Sequence, residues 1–267
     1  MQWRFLETSP ARGEMNMAVD AAIARSGFCD VPTFRIFSWQ PYCISLGYHQ
    51  NAADVNLEAC KGAGIDVARR PTGGGAIFHA HEVTYSVSVP SHHGWYNLLP
   101  LDLYRRVSEA IANGLQLLGA AVTFAPGEPR GVRHANGKPL RMACFASSAR
   151  NELLCQGKKI AGSAQRRFRE GTLQHGSILL GADHRRLIDL LAADETERAG
   201  ERMSLVGNTL TLEAACGRKV EAAEVIASLQ KGFTSTCDIH FENAPLLSEE
   251  EELAKMWCEK YRVFINN

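Results

Sequence analysis

The chain has 267 residues, of which 45% are apolar and 22% charged, with 29 acidic against 29 basic side chains and a formal net charge of zero. Such totals fit an ordinary soluble globule with a large core, and the balanced charge gives no sign of a nucleic-acid or membrane partner. No window approaches the roughly 18 apolar residues of a membrane span. "MQWRFLETSP" carries no apolar stretch behind a basic start, so a cytoplasmic chain is expected. The eight cysteines at 29, 43, 60, 144, 155, 216, 237 and 258 include no CxxC pair. They are expected to be reduced thiols, most of them acting as small buried hydrophobes.

In chain order, the first predicted element is a helix within "SPARGEMNMAVDAAIARSG". Ser9 is placed to cap it, Pro10 suits its first turn, and Met15, Ala18, Val19, Ala22 and Ile23 recur at helical spacing. "TFRIFSW" alternates as a strand, with Phe34 and Ile36 on one face and Arg35 and Phe37 on the other. "CISLG", a short helix near residues 54–62 and a strand through "IDVARR" follow. In "EVTYSVSVP", Val83, Tyr85, Val87 and Val89 share one side of a strand, and Thr84, Ser86 and Ser88 the other. Residues 101–118 read as an amphipathic helix with Leu101, Tyr104, Ile111, Leu115 and Leu118 inward. Residues 125–142 are rich in Gly, Pro and basic side chains without a hydrophobic period, and read as a mobile loop. "NELLCQGKKIAGSAQ" reads as a hairpin turning at Gln156–Gly157, and "LQHGSILL" as another strand. Helices then dominate, the last starting at Ser248 with Glu251 in capping-box register. Strands and helices interleave without regular βαβ units, which favours a mixed sheet with helices packed on it.

The chemistry-bearing stretches each admit two readings. In "RRPTGGGAIFHAH", three consecutive glycines after a strand present adjacent N–H groups to an anion or carbonyl, with arginine charge beside them. The run lacks the spacing of a dinucleotide fold or a P-loop, and the alternative is a tight strand connection flanked by surface arginines. In "QGKKIAGSAQRR", Lys159 heads a strand face of small residues with Ala161, Ser163 and Gln165, leaving room for a slender ligand. A desolvated lysine there acts as acid, base or charge clamp; the alternative is an edge strand with solvated charges. Cys144 follows a loop carrying Arg130, Arg133, His134, Lys138 and Arg141, a positive setting that favours a thiolate. The alternative is one more buried cysteine. His79 and His81 are placed two apart on one strand face, but a third metal ligand at sensible spacing is missing, so no metal is expected. His79 is read instead as a buttress of the glycine loop, and His175 in "LQHGS" is ambiguous. Basic residues cluster at 130–141 and at Lys158, Lys159, Arg166, Arg167 and Arg169, either to steer an acidic partner or as solvated strand ends.

Together, "NMAVDAAIA", "FRIFSWQPYCISLGYHQN", "RRPTGGGAIFH", "HEVTYSV", "GKKIAGSAQRR" and "LQHGSILL" resemble the lipoate/biotin protein ligase and octanoyltransferase superfamily over most of the chain. The resemblance implies an α+β fold, a mixed and largely antiparallel sheet flanked by helices, of the class II synthetase-like kind. It implies that residues 1–267 form a single catalytic domain, with no room for the extra C-terminal domain of many ligases. In that family the arginine–glycine loop and the lysine strand line a tunnel for an eight-carbon acyl chain. Here the matching substrate-binding residues are Arg70, Thr72, Gly73, Gly74, Gly75, Ala76 and His79, with Gly162, Ser163 and Ala164.

"ACF" followed by "EL" and "GKKIAGSAQ" looks like the cysteine-dependent octanoyltransferase branch, in which Cys144 matches the nucleophile and Lys159 the lysine beside it. That branch takes octanoate from acyl carrier protein through an enzyme thioester to a lysine of a lipoyl domain or glycine-cleavage H protein, without a cofactor. The alternative is an ATP- and Mg-dependent lipoate–protein ligase acting through lipoyl-AMP, with Arg70 and the glycines on the phosphate. "GGGAIFH" looks like that branch, and Ala80 stands where both branches often carry Asp.

Overall fold

The computed structural model describes residues 1–125 and 152–263. Its strands are β1 (Gln2–Glu7), β2 (Thr33–Phe37), β3 (Cys43–Leu46), β4 (Asp66–Arg69), β5 (Ile77–His79), β6 (Glu82–Pro90), β7 (Val122–Phe124), β8 (Leu153–Cys155), β9 (Lys158–Arg167), β10 (Gly171–Leu179) and β11 (His240–Asn243). Its helices are α1 (Gly13–Ser26), α2 (Leu57–Gly62), α3 (Pro100–Leu117), α4 (Glu195–Asn208), α5 (Leu212–Cys216), α6 (Ala222–Cys237) and α7 (Ser248–Tyr261).

Among the described residues, eight strands form one sheet in the order β11-β1-β2-β6-β10-β9-β8-β7, and β4-β3-β5 form a second. β1 runs parallel to both β11 and β2, and every pairing from β2 onward to β7 is antiparallel. The fold class is therefore the mixed, largely antiparallel α+β one expected.

Strand alternation decides what each face of the main sheet touches. Phe34, Ile36, Val83, Tyr85, Val87, Val89 and Ile178 point to one face, where Val107, Ile111 and Leu115 of α3 and Val225, Leu229 and Phe233 of α6 complete a buried core. The opposite face carries polar side chains, including Arg35, Ser86, His175 and Ser177. They are nevertheless buried, because α1 lies across that face and the small sheet reaches it through His79. α7 packs on α1 in turn, with Met17, Ala18, Ala22, Ala254 and Tyr261 in a second core. Ile44, Leu46, Val67 and Phe78 of the small sheet form a third with Leu187 and Ile188.

Local departures from the sequence reading have tertiary causes. α1 starts at Gly13 with Arg12 at its cap, not at Ser9 and Pro10. Ala11 is held in a β-bridge to Trp39 and accepts the Gln40 N–H, which keeps the preceding residues extended. Leu101 is 45% exposed on α3, whose inward stripe is Leu103, Val107, Ala110, Ile111 and Leu115. α7 does begin at Ser248, but Glu250 rather than Glu251 reaches back, accepting the Leu247 N–H at 3.1 Å. The β8–β9 hairpin turns at Gln156–Gly157 as expected, with φ of 52° and 73°. Two left-handed residues are the signature of a two-residue turn whose twist matches its strands. The expected loop at 125–142 lies outside the described residues except for Ala125.

Candidate active site

An apolar cleft lies on the face of the main sheet covered by α1. Met17 of α1, Phe37, Trp39, Ile77 and His79 line one part of it, and Gly162, Ser163, Ala164 and Gly176 another, with Arg70 and His175 contributing.

The small-residue wall is shifted by one from the sequence reading. β9 pairs Gly162 with Ser177 and Ala164 with His175, so Gly162 and Ala164 turn toward the cleft. Ala161 belongs to the core on the helix side, and the Ser163 hydroxyl meets Tyr85 Oη at 2.6 Å. Burial pushes the Tyr85 phenol up to about 12, so it stays protonated at neutral pH.

The glycine loop, residues 70–76, connects β4 to β5 beside this cleft. Arg70 is buried, and its guanidinium fork holds the loop from inside. Nη1 donates to Ser45 O at 2.6 Å and Ser45 Oγ at 2.9 Å, and Nη2 to Gly73 O at 3.0 Å and Gly75 O at 2.8 Å. Arg69 instead donates to Gly47 O and Gln50 O. Both arginines thus fix backbone, whereas the sequence reading has them flank the loop as charge for a ligand. Gly47 packs directly on the backbone of Gly74, which has φ of 102°, so a side chain at position 47 collides with the loop.

Two buried hydrogen-bond lines run beneath the loop. In the first, Glu82 Oε1 lies 2.7 Å from His79 Nδ1 and accepts from Thr84 Oγ1 and Ser177 Oγ. His79 Nε2 lies 2.6 Å from Ser45 Oγ, the atom that Arg70 also contacts. The ring stacks on Trp39 at 4.0 Å. With the proton on Nδ1, both ring nitrogens, Ser45 Oγ and Glu82 Oε1 are paired, while Glu82 Oε2 is buried without a hydrogen-bond partner among the described residues. His79 meets the loop through Ser45, which Arg70 also contacts, and Glu82 holds the ring where Ala80 has no polar group. His81 is exposed in the turn after β5, so the two histidines do not share a strand face. Among the described residues no cluster of three or more His, Cys, Asp or Glu side chains is placed to hold a metal.

The second line joins Asp20, His175 and Thr72. Asp20 lies 3.1 Å from His175 Nδ1 and accepts from Arg35 at 2.6 Å and Ser86 at 2.8 Å. Burial alone raises this carboxyl, but Arg35 and the bonds from His175 and Ser86 outweigh it and hold Asp20 below the usual carboxylate range. His175 Nε2 lies 2.6 Å from Thr72 Oγ1. Burial lowers the imidazole further than Asp20 raises it, so His175 is neutral at neutral pH.

Lys159 is buried, with Nζ 2.6 Å from Glu152 Oε1. A buried ammonium needs such a partner. Its expected neighbour Cys144, like the basic residues 130–141, lies outside the described residues.

Residues 12–234 match the lipoyl protein ligase A/B catalytic domain model. The chain is 37% identical to the octanoyltransferase LipM of Kyrpidia tusciae over 97% of its own length and 96% of that relative's. It is 34% identical to the octanoyltransferase LipM of Bacillus subtilis over 93% of its length and 91% of that chain. The chain belongs to the lipoyl protein ligase A/B catalytic domain family. Among solved structures, the bipartite lipoate protein ligase of Thermoplasma acidophilum superposes with a TM-score of 0.79 at 28% identity, covering 97% of this chain and 93% of that one. A lipoate-protein ligase A bound with ATP gives 0.76 at 27% identity, covering 97% and 95%.

Of the residues expected from the family resemblance, Arg70, His79, Gly162, Ser163 and Ala164 line the cleft. Thr72 reaches it through His175, while Gly73, Gly74, Gly75, Ala76 and Lys159 are not among its lining residues. The sequence reading missed Asp20, Glu82 and Glu152. Asp20 had a visible signal, a carboxylate inside the apolar run "MNMAVDAAIA". Glu82 opens a strand and looks solvated until the turn folds it under His79.

Proposed function

We propose that this chain is an octanoyltransferase that moves an octanoyl group from acyl carrier protein, through a thioester on Cys144, to a lysine of a lipoyl domain or glycine-cleavage H protein. The observation that carries this reading is the match along nearly the whole chain to relatives named octanoyltransferase. The lining supports this reading by its chemistry: apolar and small side chains suit an acyl chain, and the adjoining glycine loop offers N–H groups for its carbonyl.

In the first half-reaction the Cys144 thiolate attacks the carrier's thioester carbonyl. A new C–S bond forms, the bond to the carrier sulfur breaks, and the carrier leaves as a thiolate that takes up the proton Cys144 gave up. One thioester replaces another, so the step is near isoenergetic and calls for no ATP. In the second, the acceptor amine attacks the same carbonyl, an amide C–N bond forms, the C–S bond to Cys144 breaks, and the amine's proton restores the thiol. Amide formation from a thioester is downhill. Lys159, held by Glu152, stabilises the thiolate and the developing oxyanion. Residues 1–267 act as one catalytic domain in the cytoplasm; none of the described helices is long and apolar enough to cross a membrane.

A second reading, an ATP-dependent lipoate–protein ligase, is favoured by the likeness to the ATP-bound ligase structure. Its expected phosphate contact at Arg70 is weakened by the four hydrogen bonds this guanidinium makes to Ser45, Gly73 and Gly75. One experiment separates the two. The protein is incubated with octanoyl-carrier protein without ATP and examined by intact mass spectrometry. A hydroxylamine-labile octanoyl adduct at Cys144, absent in Cys144→Ala, is the expected result. Full transfer by Cys144→Ala, or lipoyl-AMP formation that depends on ATP, refutes the covalent route.

A further inference from the structure

The proposed chemistry leaves one buried cluster without a task, the carboxylate–imidazole–hydroxyl line that ends on the glycine loop. We propose that Asp20, His175 and Thr72 form a positioning relay that sets the loop in the geometry that receives the acyl carbonyl, and that the relay works only while His175 is neutral. The inference rests on the acyl-transfer reading above and deepens it.

The two ring nitrogens of His175 face partners of opposite kind. Nδ1 points at Asp20 Oδ2, an ionised oxygen that only accepts, so Nδ1 carries the proton. Nε2 then offers a lone pair to the Thr72 hydroxyl 2.6 Å away, and the hydroxyl proton is fixed on that line. Thr72 is fully buried, and its carbonyl accepts the Tyr48 N–H at 2.8 Å, while Arg166 holds the preceding Pro71 carbonyl at 2.7 Å. The relay therefore determines the one rotatable group at the loop's entry. A second proton on His175 turns Nε2 into a donor; the Thr72 hydroxyl must then swing away and find a new acceptor in a dry site. Asp20 cannot relax instead, because Arg35 and Ser86 hold its other contacts.

Several groups face His175 from the elements around it. Asp20 of α1 favours its charged form, whereas Arg70 of the loop and His79 of β5 oppose it. Arg35 of β2 is paired to Asp20, and the Tyr261 phenol of α7, raised by burial, stays neutral beside that carboxylate. Ser86 on β6 and Ala164 on β9, opposite His175 in the sheet, carry no charge.

The test measures octanoyl transfer against pH, together with the histidine ring spectrum by nitrogen NMR. Wild type is expected to lose rate on an acidic limb below the ordinary histidine range of about 6.5. Thr72→Val keeps the shape without the hydroxyl, and is expected to lower the rate at neutral pH about tenfold or more and to remove the limb. Thr72→Ser recovers most of that loss. His175→Gln, whose amide oxygen accepts from Thr72 without titrating, keeps part of the rate and flattens the limb. Thermal melts establish that each variant is folded. In the wild-type spectrum His175 carries a single proton, on Nδ1, at neutral pH. A folded Thr72→Val enzyme with wild-type rate and limb, or a ring protonated at Nε2 at neutral pH, overturns the relay. A wild type that transfers no octanoyl group refutes the functional reading instead, and the ring spectrum still decides the relay.

Discussion

At the scale of single residues, the site is built from buried polar groups that hydrogen-bond to one another, most of them on strands or helices that also serve a core. Glu82 shows the principle. Its Oε1 lies within hydrogen-bond distance of His79, Thr84 and Ser177 at once, so it ties β5, β6 and β10 together under the glycine loop. Replacing it with an amide of the same shape leaves those partners with a weaker acceptor. Glu82→Gln is expected to destabilise the fold by about 1–3 kcal/mol, read from urea unfolding, and to lower transfer activity through the loop. This scale was only half legible beforehand. "RRPTGGGAIFH" names the loop from sequence, but the inward turn of Arg70 onto Ser45 depends on β3 lying beside it, a contact between segments 25 residues apart. No local pattern reports that.

At the scale of elements, alternation and helical period fixed most assignments, and the misreadings fall where tertiary contacts override local preference. The face of β2 was read correctly because Phe34, Arg35, Ile36 and Phe37 alternate without interruption. The cleft-facing side of β9 was not, because both of its faces bear small residues and the parity is set by its pairing with β10. The β8–β9 turn offers a direct check. Gln156 sits at φ of 52°, a conformation asparagine tolerates better. Gln156→Asn is expected to stabilise the protein by about 0.5 kcal/mol and raise the melting midpoint by roughly 1–2 °C. The close approach of Gly47 to Gly74 predicts the reverse kind of effect. Gly47→Ala must displace the loop, and transfer activity is expected to fall by about tenfold or more even if thermal stability changes little.

At the scale of the whole molecule, acid should loosen the fold. Burial lowers His175 and His184. Their folded values lie below the unfolded value of about 6.5, so on acidification the unfolded chain binds these protons first and gains relative to the folded one. The urea midpoint is expected to fall as pH drops from about 7 to 5, with a further loss once Asp20 is protonated below the ordinary carboxylate range. A midpoint that is flat or rises over the first interval contradicts the neutral assignment of these rings.

The first strand and the last helix are also joined in the interior. Arg4 of β1 donates through both Nη1 and Nη2 to Glu250 of α7, at 2.8 and 2.7 Å, with both side chains buried. Arg4→Met strands the carboxylate, and is expected to cost about 3–5 kcal/mol in urea unfolding. The same tie has a consequence for synthesis. α1, which brings Met17 to the cleft and Asp20 to His175, rests on α7, and β1 lacks its outer partner until His240–Asn243 arrives. A nascent chain still short of Glu250 therefore holds an unneutralised guanidinium where its interior should close, and a finished cleft waits for the last helix to leave the ribosome.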